Sequence, residues 1–153
     1  MERLYAEVMG RGVVVISMTT ANVGLVAALA AAMRRVHGRA HALVLTEGLT
    51  VDQWSVLDFV ARSSTPVAMS EIVEAVGLTG PSLTRAVDKL VTSALLFREV
   101  DPGDRRRVLV NPSKRGSEVH AKLAPQMETL EHELAGSPET AGQILQILNG
   151  LAR

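Results

Sequence analysis

Apolar residues recur at steps of three and four along most of this chain, and only one short stretch departs from that rhythm. Leu25, Leu29, Met33, Val36 and Ala40 trace one stripe, which predicts a helix from Thr20 to about Leu45, closed by Gly48. A second helix turns Val56, Leu57 and Val60 inward. Its start is well specified: Thr50 and Gln53 have capping-box spacing, and Leu49 and Trp54 stand at the hydrophobic-staple positions. The "SSTP" that follows breaks the helix. "SEIVEAVGL" predicts a short helix with Ser70 as N-cap and Gly77 as its stop. "TGPSLTRAVDKLVTSALL" predicts another. Thr79 can cap it, and Pro81 sits in the first turn, where a missing N–H costs nothing. Leu83, Val87, Leu90 and Val91 form its buried face.

"LLFREV" and "RRVLV" then read as strands around the turn sequence "DPGD", in which Pro sets φ and Gly tolerates a positive one. Ser113 caps a long helix whose stripe is Val119, Leu123, Met127, Leu130 and Leu134, with Pro125 placed to kink it. Ser137 and Pro138 restart the chain into a last helix, with Ile144, Leu145, Ile147, Leu148 and Leu151 on its apolar face. The expected fold is mainly α with a small β-hairpin wing. It is a winged helix-turn-helix, because two short helices with a tight turn are followed directly by a hairpin.

Charge sharpens this reading. The chain is net neutral, yet between Ser82 and Arg115 eight basic residues face four acidic ones, a local +4. From Gly116 to Arg153 five acids face two bases. One basic face beside an acidic end points to a polyanion on one side only. Ser82, Thr84, Arg85 and Lys89 lie on the outer face of the second short helix, where a major-groove helix meets base edges. Arg105, Arg106 and Arg107 gather at the hairpin tip. A narrow A·T-rich minor groove concentrates negative potential that an inserted arginine exploits. Arg106 is the residue expected to insert, with Arg105 and Arg107 on phosphates. Asp104, two residues back, is expected to hold the guanidinium pre-aimed. The alternative is a solvated ion-pair cluster of small energetic worth.

The series Thr84-Arg85…Asp88-Lys89-Leu90…Asp101-Pro102-x-Asp104-Arg105-Arg106 resembles the MarR family of transcriptional regulators, and the likeness runs from about Leu25 to Leu151. It implies a homodimer with interleaved N- and C-terminal helices and two winged lobes on a palindromic operator. It also implies that Arg106 is the wing arginine and Asp104 its partner. A small-molecule pocket between the dimerisation helices and the lobe is implied too, often for phenolic or aromatic acids, that loosens DNA when filled. The boundaries follow: a leader over 1–19, then one domain over 20–153. Within it, 46–112 form the DNA-binding lobe, and 20–45 and 113–153 the dimerisation helices. The chain departs from the family in a longer leader, for which Met18 offers a second start, and in Pro112, where a leucine is common. The dimer has a reason in the residues as well, since the flanking helices carry more apolar surface than one lobe can cover.

Other residues are open to two readings. His37 and His41, four apart, form half of a zinc site or line the effector pocket. Trp54 and Met69 belong to that pocket or to the core. His120 and His132 could contribute to either. Cysteine is absent, so thiolate metal sites and cysteine-based peroxide sensing are excluded, and a reducing compartment, the cytoplasm, fits. No nucleophile elbow, phosphate loop or zinc-protease helix occurs, so no enzyme is expected. Neither a cofactor nor a metal is called for. Val13 to Met33 is free of charge, but its centre is polar and its second half mostly alanine, so no membrane span is expected. The competing function is a winged-helix module for protein contacts alone. Such a module has no need of a basic tip beside a basic helix.

Overall fold

The computed structural model describes residues 24–151. The elements in chain order are α1 (Leu25–Val44), a 3-10 turn (Leu45–Glu47), α2 (Val51–Arg62), β1 (Val67–Ala68), α3 (Met69–Val76), α4 (Gly80–Thr92), β2 (Leu96–Val100), β3 (Val108–Pro112), α5 (Lys114–Ala135) and α6 (Pro138–Leu151). The leader over 1–19 and the first residues of the helix expected from Thr20 lie outside the described residues. The chain divides into two compact units, one up to Arg34 and one from Arg35 on. Of the first, the opening turns of α1 are described, and Leu25, Val26 and Met33 are exposed there.

In the second unit the local signals mostly set the helix ends. Thr50 Oγ1 accepts from the Gln53 N–H at 3.2 Å, and the Gln53 side chain accepts from the Thr50 N–H at 3.0 Å, so both halves of the capping box form. Leu49 and Trp54 are both buried around it. The start of α3 differs from expectation. Ala68, not Ser70, holds the N-cap position, and Ser70 lies inside the helix. Glu71 reaches back to accept from the Ala68 N–H at 2.6 Å, while Ala68 is already held in β1 opposite Leu109. A strand contact and an acidic side chain thus move the start two residues earlier than a serine alone would put it. Gly77 ends α3 in the left-handed region, φ 70°, which suits a residue without Cβ. Three residues, 77–79, separate it from α4.

The sheet order is β1-β3-β2, antiparallel throughout, with Arg98 opposite Val110 and Val100 opposite Val108. β1 has only two residues and closes the far edge of β3 at Val67 and Ala68. The hairpin differs from the reading of "RRVLV" as a strand: β3 begins at Val108, so Arg105, Arg106 and Arg107 lie in the connecting loop. α5 runs through Pro125 from Lys114 to Ala135. Of its expected stripe, Val119, Leu123, Met127 and Leu130 are buried, while Leu134 is exposed.

The core forms where α2, α3 and α4 meet the sheet and α5. Val56, Leu57, Ile72, Leu83, Val87, Leu90, Val110 and Leu123 are wholly out of solvent. Each such leucine or valine contributes about 2 kcal/mol by burial. Among the described residues no polar or charged side chain is buried, and no helix is long and apolar enough to cross a membrane.

Candidate nucleic-acid interface

α4 is amphipathic by sequence, and the fold uses that division. Leu83, Ala86, Val87 and Leu90 turn into the core. Thr84, Arg85 and Lys89 are exposed, and Ser82 is half-buried at the start of the helix. The Thr84 hydroxyl donates to the Gly80 carbonyl at 3.0 Å, and Arg85 Nε donates to the Pro81 carbonyl at 3.2 Å. Arg85 is thereby tied at its Nε, with its terminal nitrogens unpaired among the described residues.

The hairpin loop spans 101–107 and is closed by main-chain bonds. The Asp101 N–H donates to the Arg107 carbonyl at 3.0 Å, and the Arg107 N–H to the Asp104 carbonyl at 2.9 Å. Two aspartates shape it from within. Asp101 Oδ1 accepts from the Gly103 N–H at 2.8 Å, and Asp104 Oδ1 accepts from the Arg106 N–H at 3.0 Å. These are Asx turns, in which a short carboxylate replaces a main-chain acceptor. Asp104 therefore meets the main chain of Arg106 in this structure, not its guanidinium. Arg107 lies 3.9 Å from Asp101. All three arginines are exposed, and among the described residues Arg105 and Arg106 have no ion-pair partner.

A contact that sequence reasoning missed joins helix and wing. Arg98 on β2 pairs with Asp88 on α4 at 2.7 Å. Both residues were visible in the sequence, but their ten-residue separation spans a helix end and a strand, and no local rule pairs such positions. Below them, the Asn111 amide donates across the hairpin to Glu99 at 2.8 Å.

The four residues named for a ligand pocket do not share one cavity. His37 and His41 stack along α1, ring centroids 6.2 Å apart. Trp54 is buried and stacks on His120 of α5. Met69 lies beside the wing, in a depression of about 310 Å³ lined also by Ser70, Arg106, Arg107 and Val108. A wider groove of about 450 Å³ runs between α1 and α5, over Ala42, Leu43, Thr129 and Leu130, with the ion-paired Arg39 and Glu133 at its lip. No group of three or more potential metal ligands occurs among the described residues.

Two helices joined by a tight turn, a hairpin docked to the second of them, and a helix leading away define a winged helix-turn-helix protein. Residues 47–107, from the end of the 3-10 turn to the last wing arginine, match the model of the MarR family. No curated protein matches the chain. Among solved structures it is similar to CouR from Rhodococcus jostii, solved bound to p-coumaroyl-CoA. The identity is 22%, over 89% of this chain and 96% of that one, with TM-score 0.76. MepR of S. aureus, solved as a DNA complex, is 18% identical over 84% of this chain and 96% of its own, TM-score 0.75. BpsR of Bordetella bronchiseptica, whose DNA binding is regulated by 6-hydroxynicotinic acid, is 22% identical over 84% and 93%, TM-score 0.73. At these identities the likeness establishes the fold.

Proposed function

We propose that this protein is a sequence-specific DNA-binding transcriptional regulator, a ligand-responsive repressor that sits as a homodimer on a palindromic operator. One observation carries the reading: an exposed Arg85 and Lys89 face is strutted through Asp88 and Arg98 to a loop bearing three exposed arginines. A chain of zero net charge that sets five cations on one helix face and a neighbouring loop is built for a polyanion with two adjacent grooves. Ser82, Thr84 and Arg85 read base edges in the major groove, Lys89 contacts phosphate, and Arg106 enters the minor groove flanked by Arg105 and Arg107. Asp104 shapes the loop that presents Arg106.

Homodimerisation is supported by the apolar face left open on α6. An aromatic acid, free or as its thioester, is supported as effector by the ligands named for CouR and BpsR; of the four residues, the stacked pair His37 and His41 remains its proposed contact, since Trp54 is buried against His120 and Met69 lies beside the wing. A protein of this kind acts by binding rather than catalysis, and in the cytoplasm.

Gel-shift with A·T-rich palindromic duplexes tests the interface. Arg106→Ala should bind about tenfold more weakly, and its salt slope should fall by about one unit, as expected for one lost groove-bound cation. Equal binding by wild type and Arg106→Ala would remove the wing from the interface.

A further inference from the structure

A second set of side chains, away from the basic face, joins α2 to α5. Trp54, the one tryptophan of the chain, stacks on His120 with ring centroids 5.5 Å apart and planes 10° apart. One turn further along α2, Asp58 Oδ1 lies 2.9 Å from His120 Nε2. An ionised carboxylate only accepts, so Nε2 carries the hydrogen. The same oxygen accepts from Arg62 Nε at 2.8 Å, and Arg62 also reaches Glu128 of α5 at 3.5 Å. The hydrogen bond and charge of Asp58 push the Arg62 guanidinium above its already high ordinary value, so it stays charged. Residues 54, 58 and 62 lie four apart on one face of α2, and 120 and 128 lie eight apart on α5. Contacts therefore run in step along both helices.

Apolar packing beneath this row, from Leu57, Leu123 and Met127, restricts the crossing angle only to within roughly 15–20°. His120 is different. Its side chain is only 18% exposed, gripped on one ring face by an indole and on one edge by a carboxylate. A planar group held in both ways has one orientation, and the two helices that hold it have one relative setting. α5 then leads away from the lobe to α6, whose apolar residues are exposed. The joint at His120 thus lies between the lobe that carries α4 and the arm that ends in an unpartnered face.

We propose that His120 is a positioning residue for DNA binding: clamped between Trp54 and Asp58, it sets the angle of the lobe on α5 and so the separation of the two α4 helices in a dimer. The proposal rests on the DNA-binding reading above. A merely structural role would change how much protein is folded, and would leave the preferred half-site separation as it was.

The test starts from palindromic duplexes selected by the full-length wild-type protein from a random library. The best site is remade with a base pair or two inserted or removed between its half-sites. Affinity for each spacing is measured for wild type, His120→Ala and His120→Phe, after stoichiometric titration of the active fraction. Phe keeps a ring against Trp54 and loses the bond to Asp58, and it carries the test if the alanine variant does not fold. Wild type should bind one spacing far better than its neighbours. The variants should bind that spacing about tenfold more weakly and the altered ones no worse than wild type does, flattening the preference. A uniform loss across spacings, or no loss, overturns the proposal. If wild type itself selects no duplex, the DNA-binding reading fails and the joint has no such task. That failure is seen without any variant.

Discussion

Gly116 occupies the tightest position among the described glycines. A Cβ there would lie 1.9 Å from the Leu95 carbonyl oxygen and 2.9 Å from its carbon, both of them main-chain atoms. The crowding has a local cause. Ala94 follows α4 with φ 56°, a left-handed setting uncommon for a residue with a side chain. The Leu95 N–H returns to the Leu90 carbonyl at 2.8 Å, and the Ala94 N–H to Val91 at 2.9 Å, which is the Schellman closure. That turn brings the Ala94 and Leu95 carbonyls against the start of α5, where Ser113 Oγ donates to Ala94 at 2.6 Å and accepts from the Gly116 N–H at 2.9 Å. Neither backbone can retreat without breaking its own bonds. Gly116→Ala should therefore destabilise the protein by more than about 3 kcal/mol. A thermal or denaturant melt within about 1 kcal/mol of wild type would show that the α4–β2 turn yields more readily than these bonds imply. Nothing in "SKRGSEV" marks this glycine, because the atoms it meets come from the turn that ends the preceding helix.

Between elements, the strut from Asp88 to Arg98 sets α4 against the wing, and its removal has a sign that separates two effects. Asp88→Asn deletes a negative charge from the helix proposed to face DNA. Charge alone would tighten binding to a polyanion. Loss of the strut frees Arg98 and the hairpin, and ordering them again on DNA costs about as much as an exposed pair is worth, ~0.6 kcal/mol. Affinity for a selected duplex should fall, by less than about threefold because the gain in charge offsets part of the loss, and tighter binding would mean that the wing is held without the pair. Elements of this kind were unevenly legible. The start of α2 could be read because its capping box and staple lie within six residues, all of them local chemistry. β1 could not, because a two-residue strand exists only through its pairing with Val110 and Leu109. The start of α3 was misread for the same reason: Ser70 is a good cap in isolation, but Ala68 was already fixed by the sheet and completed by Glu71. In the wing, the turn chemistry of "DPGD" was visible. The loop is longer than that motif because the Asx bond from Asp104 to the Arg106 N–H carries it on to Arg107. The basic residues of the proposed interface were legible as charges on one helix face. The contacts of Trp54, Asp58 and His120 were not, since they join positions more than sixty residues apart.

At the scale of the molecule, the question is what covers α6. Ile144, Leu145, Ile147, Leu148 and Leu151 are all exposed, between 39% and 64%, on a helix with no buried residue, and Leu134 of α5 is exposed beside its start. Five exposed large apolar residues on one helix are more than scattered surface hydrophobics, and larger apolar patches mark interfaces. The stripe was already plain in the sequence, as helical periodicity, but periodicity does not say whether a face meets its own core or another chain. Its exposure next to a lobe whose core is complete argues for a second copy, and a two-fold pair would place two α4 helices for successive major grooves. Leu145→Glu combined with Leu148→Glu should test this directly, since both side chains are more than 40% exposed and their replacement leaves the lobe core untouched. In sedimentation velocity the wild type should run as a dimer and the double variant as a monomer with its lobe still folded. Affinity for a palindromic site should drop by about a hundredfold or more, because the second half-site contact is no longer intramolecular. The salt slope should fall to about half, because one lobe neutralises half the phosphates. A double variant that still sediments as a dimer would place the subunit contact on another face and leave the α6 stripe without a partner.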